Sequence, residues 1–191
     1  MVETITPAVH GGRGRGYAAS VALHVLGASL GAGALGFALG AAGHLLGAPW
    51  GAVGAGVIAL VATLYALREA RVLSVPVLVL RRQVPEWWRT FFSPQTSALL
   101  YGAGLGVGFG TFLSHGTFVV VSVAAALSSD PVTGAFLCVP FGIARALSAV
   151  VAGARDPRAA VDRLDELATT PVARLANLAV LVLLAAAALA A

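Results

Sequence analysis

Five apolar runs, each bounded by polar or turn-forming residues, set the pattern of the chain. They cover residues 17–46, 50–67, 97–127, 132–153 and 171–191. The runs are continuous, not alternating, and rich in Ala, Leu and Gly, which predicts helices and not strands. A backbone surrounded by lipid must satisfy its own hydrogen bonds, so such runs become transmembrane helices when they reach about 20 residues. The first exceeds that length, so it tilts or its ends leave the hydrocarbon; Gly47-Ala48-Pro49 closes it. The second is short. Ser128-Ser129-Asp130-Pro131 reads as a turn, and Pro140 falls inside the fourth run.

Composition agrees with this pattern. Of 191 residues, 59% are hydrophobic and 10% charged, against about 25% charged in an ordinary soluble domain. The mean hydropathy is +0.91. These values exclude a soluble globular domain, a disordered chain and a nucleic-acid partner. The predicted fold is all-α: one polytopic membrane domain, 1–191, with five transmembrane helices.

Charge then orients the helices. The net charge is +4, and all twelve cations are arginines. Arg13 and Arg15 precede the first run. Arg68, Arg71, Arg81, Arg82 and Arg89 lie in the second connector, and Arg155, Arg158 and Arg163 in the last loop. The turns after the first and third runs, and the C-terminus, carry none. Five crossings put every arginine-rich segment on one side, so the positive-inside rule predicts a cell-membrane protein with a cytoplasmic N-terminus and an extracytoplasmic C-terminus. The first run is too long for a signal-peptide core and reads as a span.

The connector at about 72–95 is more than a loop. Val72 to Leu80 is apolar but too short to span. Trp87, Trp88, Phe91 and Phe92 follow beside arginines, as at a membrane interface. An interfacial anchor is the plainer reading; a partner-docking surface is the other.

Glycines recur at helical spacing: Gly27 and Gly31, Gly36 and Gly40, then Gly102, Gly106 and Gly110. Small residues let membrane helices approach closely. The same pattern suits a backbone that bends or opens during transport, and spacing alone does not choose. Polar groups at membrane depth are costly and few. Thr111, Ser114 and His115 make a polar spot in the third run. Arg145 lies in the fourth with no carboxylate in any span to pair with, so it is either a tether to backbone carbonyls or a contact for an anion or solute. His24 and His44 lie in the first run. Haem or metal ligation would need His44 and His115 to converge, and no HxxxH or HExxH spacing supports it. No cofactor is predicted. The lone Cys138 excludes an intrachain disulfide or a CxxC pair. No nucleophile–base–acid set or nucleotide loop is present, so an enzyme is not expected.

Gly108-Phe109-Gly110-Thr111-Phe112-Leu113-Ser114-His115 and Val139-Pro140-Phe141-Gly142 resemble motifs of the cytochrome c biogenesis and thiol–disulfide transporter family (the CcdA/DsbD type). Those proteins carry a glycine-rich helix with a Gly-Phe, small-polar, Pro-Cys motif, followed by a helix with a Pro-Phe-Gly-like break. The resemblance implies six helices in two inverted repeats, of which this chain lacks the first helix. It also lacks the redox cysteines, so electron transfer does not carry over. The resulting expectation is a non-catalytic membrane subunit or assembly factor. It would contact lipid and either another membrane protein or further copies of itself. The alternatives are a small-solute transporter with a polar path near Thr111, Ser114, His115 and Arg145, and a haem- or metal-binding electron-transfer subunit.

Overall fold

A computed structural model describes residues 5–12, 14–48, 51–76, 88–108, 116–155 and 170–190. Among these, all regular structure is helical. The helices are α1 (Arg15–Leu45), α2 (Ala52–Glu69), α3 (Trp88–Phe91), α4 (Pro94–Gly106), α5 (Thr117–Leu127), α6 (Pro131–Arg155) and α7 (Pro171–Ala190), with a 3-10 turn at Pro7–His10. Four of them, α1, α2, α6 and α7, are long and apolar enough to cross a membrane. The chain is a multi-pass, membrane-embedded helical protein.

One sequence expectation fails. The run 97–127 is not one helix. It forms α4 and α5, and neither reaches the length of a span by itself. α4 stops because Val107 closes its last turn and Gly108 takes a φ of +80°, a conformation that a side chain would oppose. The fourth run forms one continuous helix, α6, with Pro140 inside it as expected; the break that the family resemblance implies at Val139-Pro140-Phe141-Gly142 is not seen.

The chain divides into two compact units, and α1 and α6 contribute a part to each. In the first unit, α1 and α4 run parallel. A Cβ on Gly27 or Gly31 would collide with the carbonyl oxygens of Leu99 or Ala103, and one on Gly102 or Gly106 with those of His24 or Ala28. Backbone thus meets backbone along the whole seam. α6 joins it antiparallel, where Gly142 would bring a Cβ within 2.6 Å of the Ala28 carbonyl. The start of α4 is fixed by Ser93, whose Oγ accepts from the Thr96 N–H at 3.2 Å, and by Pro94 in the first turn. Ile5 is buried with Ala98 and Ala149, so the stretch before α1 belongs to this core.

In the second unit, Ile58, Ala62, Tyr65, Ala66, Val120 and Leu181 form the core between α2, α5 and α7. Gly116 lies flat on the Tyr65 ring. The end of α1 packs through Gly36, Gly40 and Gly43 on the backbone of Gly134, Asp130 and Ala126. Where α1 ends, its neighbours are tied by polar contacts. His44 Nδ1 donates to the Ser129 carbonyl at 3.2 Å, and Ser129 Oγ donates to the Ala48 carbonyl at 2.9 Å. Arg68 pairs with the buried Glu69 at 2.9 Å and donates through Nε to the Val75 carbonyl.

Asp130 caps α6: its Oδ2 accepts from the Thr133 N–H at 2.7 Å. The side-chain and backbone hydrogen bonds of Thr133 hold the carboxyl below its ordinary range. A lowered folded-state value stabilises the fold above the unfolded carboxylate's titration, and that contribution is lost as pH falls through the folded value. Asp130→Ala should therefore lower the melting temperature at pH 7, and the difference from wild type should shrink on acidification to about pH 3. Thermal unfolding in detergent at both pH values checks this; a difference independent of pH would contradict it.

Candidate functional site

The polar position that the structure ties to a helix end is Arg145, at the end of α4. α4 ends against the middle of α1. Gly106 packs on Ala28 and Ala32, and these lie halfway along the 31-residue α1, which is about 46 Å long. A helix end there exposes carbonyls that lipid cannot satisfy. The chain supplies donors of its own. Val107 N donates to the Ala103 carbonyl at 3.0 Å and Gly108 N to the Leu105 carbonyl at 3.2 Å. Arg145, half-buried on α6, adds Nη1 to the same Leu105 carbonyl at 3.2 Å.

The Arg145 guanidinium also lies over the Phe141 ring, 5.6 Å from its centroid, a cation–π geometry. The tether to backbone carbonyls is thus realised. A cation at a helix C-terminus complements the helix dipole. One guanidinium offers five N–H groups, and a single contact to a helix carbonyl leaves most of that capacity for another acceptor. Among the described residues no carboxylate pairs with Arg145.

Thr111, Ser114 and His115, the rest of the expected polar path, lie outside the described residues, as do Gly110 and Trp87. Hence the structure neither joins them to Arg145 nor separates them. His44 is engaged by Ser129 as described. Among the described residues no three His, Cys, Asp or Glu side chains converge. Gly27, Gly31, Gly102 and Gly106 sit in one seam, while Gly36 and Gly40 face α6. Trp88 stacks at 5.7 Å and 45° on Tyr101, and its carbonyl accepts from Ser97 Oγ at 3.0 Å. Phe91 and Phe92 are exposed, as membrane anchors would be.

Sequence reasoning missed a second polar contact. At the start of α5, the Thr117 hydroxyl donates to Asn177 Oδ1 on α7. The Asn177 amide is buried and its Nδ2 has no partner. Asn177 is the lone amide in the apolar run of α7 (PVARLANLAVLVLLAAAALA), and that isolation was the available signal, since a polar residue inside a span is a functional candidate by default. The other missed pair is Ser20 with His24, both fully buried in the first unit.

No protein-family model, characterised protein or solved structure matches the chain.

Proposed function

We propose that the chain is a membrane transport protein for a small anionic solute, and that α4 and α5 together make one discontinuous crossing. The observation that carries this is the end of α4 halfway along α1, with the Arg145 cation on its Leu105 carbonyl and, among the described residues, no acid paired with it. Membrane transporters commonly place their binding site where a spanning helix is interrupted. An intramembrane cation that lacks a protein counter-charge suits an anion from solution. The CcdA/DsbD-type resemblance rests on its two motifs and suits the same reading, with Thr111, Ser114 and His115 following α4 in sequence.

The direct experiment is uptake into proteoliposomes of radiolabelled chloride, sulfate, phosphate and acetate, each against protein-free vesicles. Protein-dependent flux of at least one is expected; no flux of any contradicts the proposal. With a discontinuous α4–α5 crossing the chain makes five passes, and the arginines place the N-terminus in the cytoplasm. An alkaline phosphatase fusion at Ala191 should therefore be active and one after Arg163 inactive. The reverse pattern would overturn the orientation.

The non-catalytic subunit is the second reading, and α7 is the observation that favours it. Beyond the buried Asn177 and Leu181, Val172, Leu175, Val180, Val182, Leu183 and Leu189 are all exposed. A partner helix or a further copy of the chain covers such a face as well as lipid does. Native mass spectrometry from the membrane distinguishes the two, because a stoichiometric companion supports the subunit and a bare monomer removes it.

A further inference from the structure

Polar side chains inside the apolar helices divide into two kinds. Ser29 and Thr63 turn their hydroxyls back onto the helix, donating to the carbonyls of Val25 and Ala59, each at 2.8 Å. This is the usual way a helical hydroxyl is satisfied in an apolar setting. Ser20, in the same helix as Ser29, is different. It is 0% exposed and its Oγ has no partner.

One turn further along α1 is His24, 1% exposed. Its Nδ1 lies 3.2 Å from the Ala98 carbonyl of α4. A carbonyl only accepts, so Nδ1 carries the proton, and in a neutral ring Nε2 is then a bare acceptor. That Nε2 is buried without a partner. Side chains in a helix lean towards its N-terminus, over the residue four positions earlier. The imidazole therefore leans over Ser20, whose hydroxyl is an unmet donor, while Nε2 is an unmet acceptor. They do not bond to one another. They share one face of α1, one turn apart, and a single water can serve both an unmet donor and an unmet acceptor.

We propose that Ser20 Oγ and His24 Nε2 form a binding site for one water molecule in the first unit, inside the α1–α4 seam. The water donates to Nε2 and accepts from the Ser20 hydroxyl. An inorganic cation would need a negative group beside it, and the described residues of this unit hold no carboxylate. The charged or titratable side chains described on the neighbouring elements are Arg145 on α6, Tyr101 on α4 and His10 before α1. None of these is an anion at neutral pH, so a neutral ligand fits and a metal ion does not. The site does not depend on the transport proposal.

Solid-state nitrogen NMR of the full-length protein, labelled with ¹⁵N-histidine in lipid bilayers, tests this. The chain has four histidines, so H10Q/H44Q/H115Q leaves His24 alone, and H24Q in the wild-type background identifies its signal a second way. The expected result at neutral pH is a ring protonated on Nδ1, with Nε2 bare, hydrogen-bonded and giving a through-space cross-peak from water protons. In Ser20→Ala that cross-peak should fall by about fivefold, the worth of one hydrogen bond, while the Nδ1 proton stays on the Ala98 carbonyl. A proton on Nε2, no water cross-peak, or a cross-peak unchanged in Ser20→Ala would overturn the site.

Discussion

Arg145→Gln should reduce anion uptake by at least about tenfold, because it removes the half-buried cation at the end of α4 and with it a charge-assisted contact of about 1.5–3 kcal/mol. Stability should change much less. The Leu105 carbonyl keeps its bond from the Gly108 N–H, so losing the Arg145 donor costs about 1 kcal/mol. Arg145→Lys keeps the charge but loses the planar fork and its stacking on Phe141, and should retain part of the flux. The pair of variants separates a structural tether from a solute contact. If Arg145 only holds α4, Gln and Lys should differ from wild type in melting temperature and not in flux per folded protein. That result would remove Arg145 from the path.

The second large effect belongs to the α1–α4 seam. Gly102→Ala with Gly106→Ala adds two methyl groups, each driven into backbone carbonyls of α1. Backbone cannot rotate away as a side chain can, so each substitution costs about 1–3 kcal/mol. The two share one seam and will not add fully, since a helix that has backed away from one clash is already clear of the other. Even so, the double variant should lose most of its monodisperse, folded fraction in detergent. Gly56→Ala is the control. A Cβ there meets nothing within 4 Å, and alanine favours the helix by up to about 1 kcal/mol, so that variant should melt at the wild-type temperature or above. A double variant as stable as wild type would mean that the two helices do not approach as closely as described.

Much of this architecture is legible in the order of residues, for physical reasons. Long apolar runs without acids have few alternatives to membrane helices, so α1, α2, α6 and α7 fall within a few residues of their expected limits. The glycine spacing marked close approach but could not name the partner. Gly31 and Gly36, five residues apart on α1, face α4 and α6 respectively, a distinction set by tertiary placement. The interruption after Gly106 was hidden because the run 97–127 stays apolar enough on average to read as one span, and hydropathy does not register a glycine adopting positive φ. Pro140 lies inside the expected helix and does not end it. A proline removes one N–H and crowds one carbonyl, yet α6 accommodates it, as membrane helices often do.

The candidate site was less legible than the fold. Arg145 stood out by being charged inside a span, but the Leu105 carbonyl in front of it could be found only from the tertiary structure. Asn177 and Thr117 are sixty residues apart, and neither is unusual by itself. Ser20 and His24 had the helical spacing in plain view. Their significance appears only once burial and the Ala98 contact leave one unmet donor beside one unmet acceptor.

The claim on which the rest turns is that the third crossing is interrupted inside the bilayer and reached by water there. Single cysteines at Val107, Gly108, Gly116 and Thr117, in a Cys138→Ala background, test it by reaction with a charged, membrane-impermeant thiol reagent in sealed vesicles. The account predicts labelling at two or more of these positions, with Leu60 and Leu183 cysteines silent in lipid and protection of the labelled positions by the transported anion. Silence at all four positions, matching the lipid-facing controls, would contradict it.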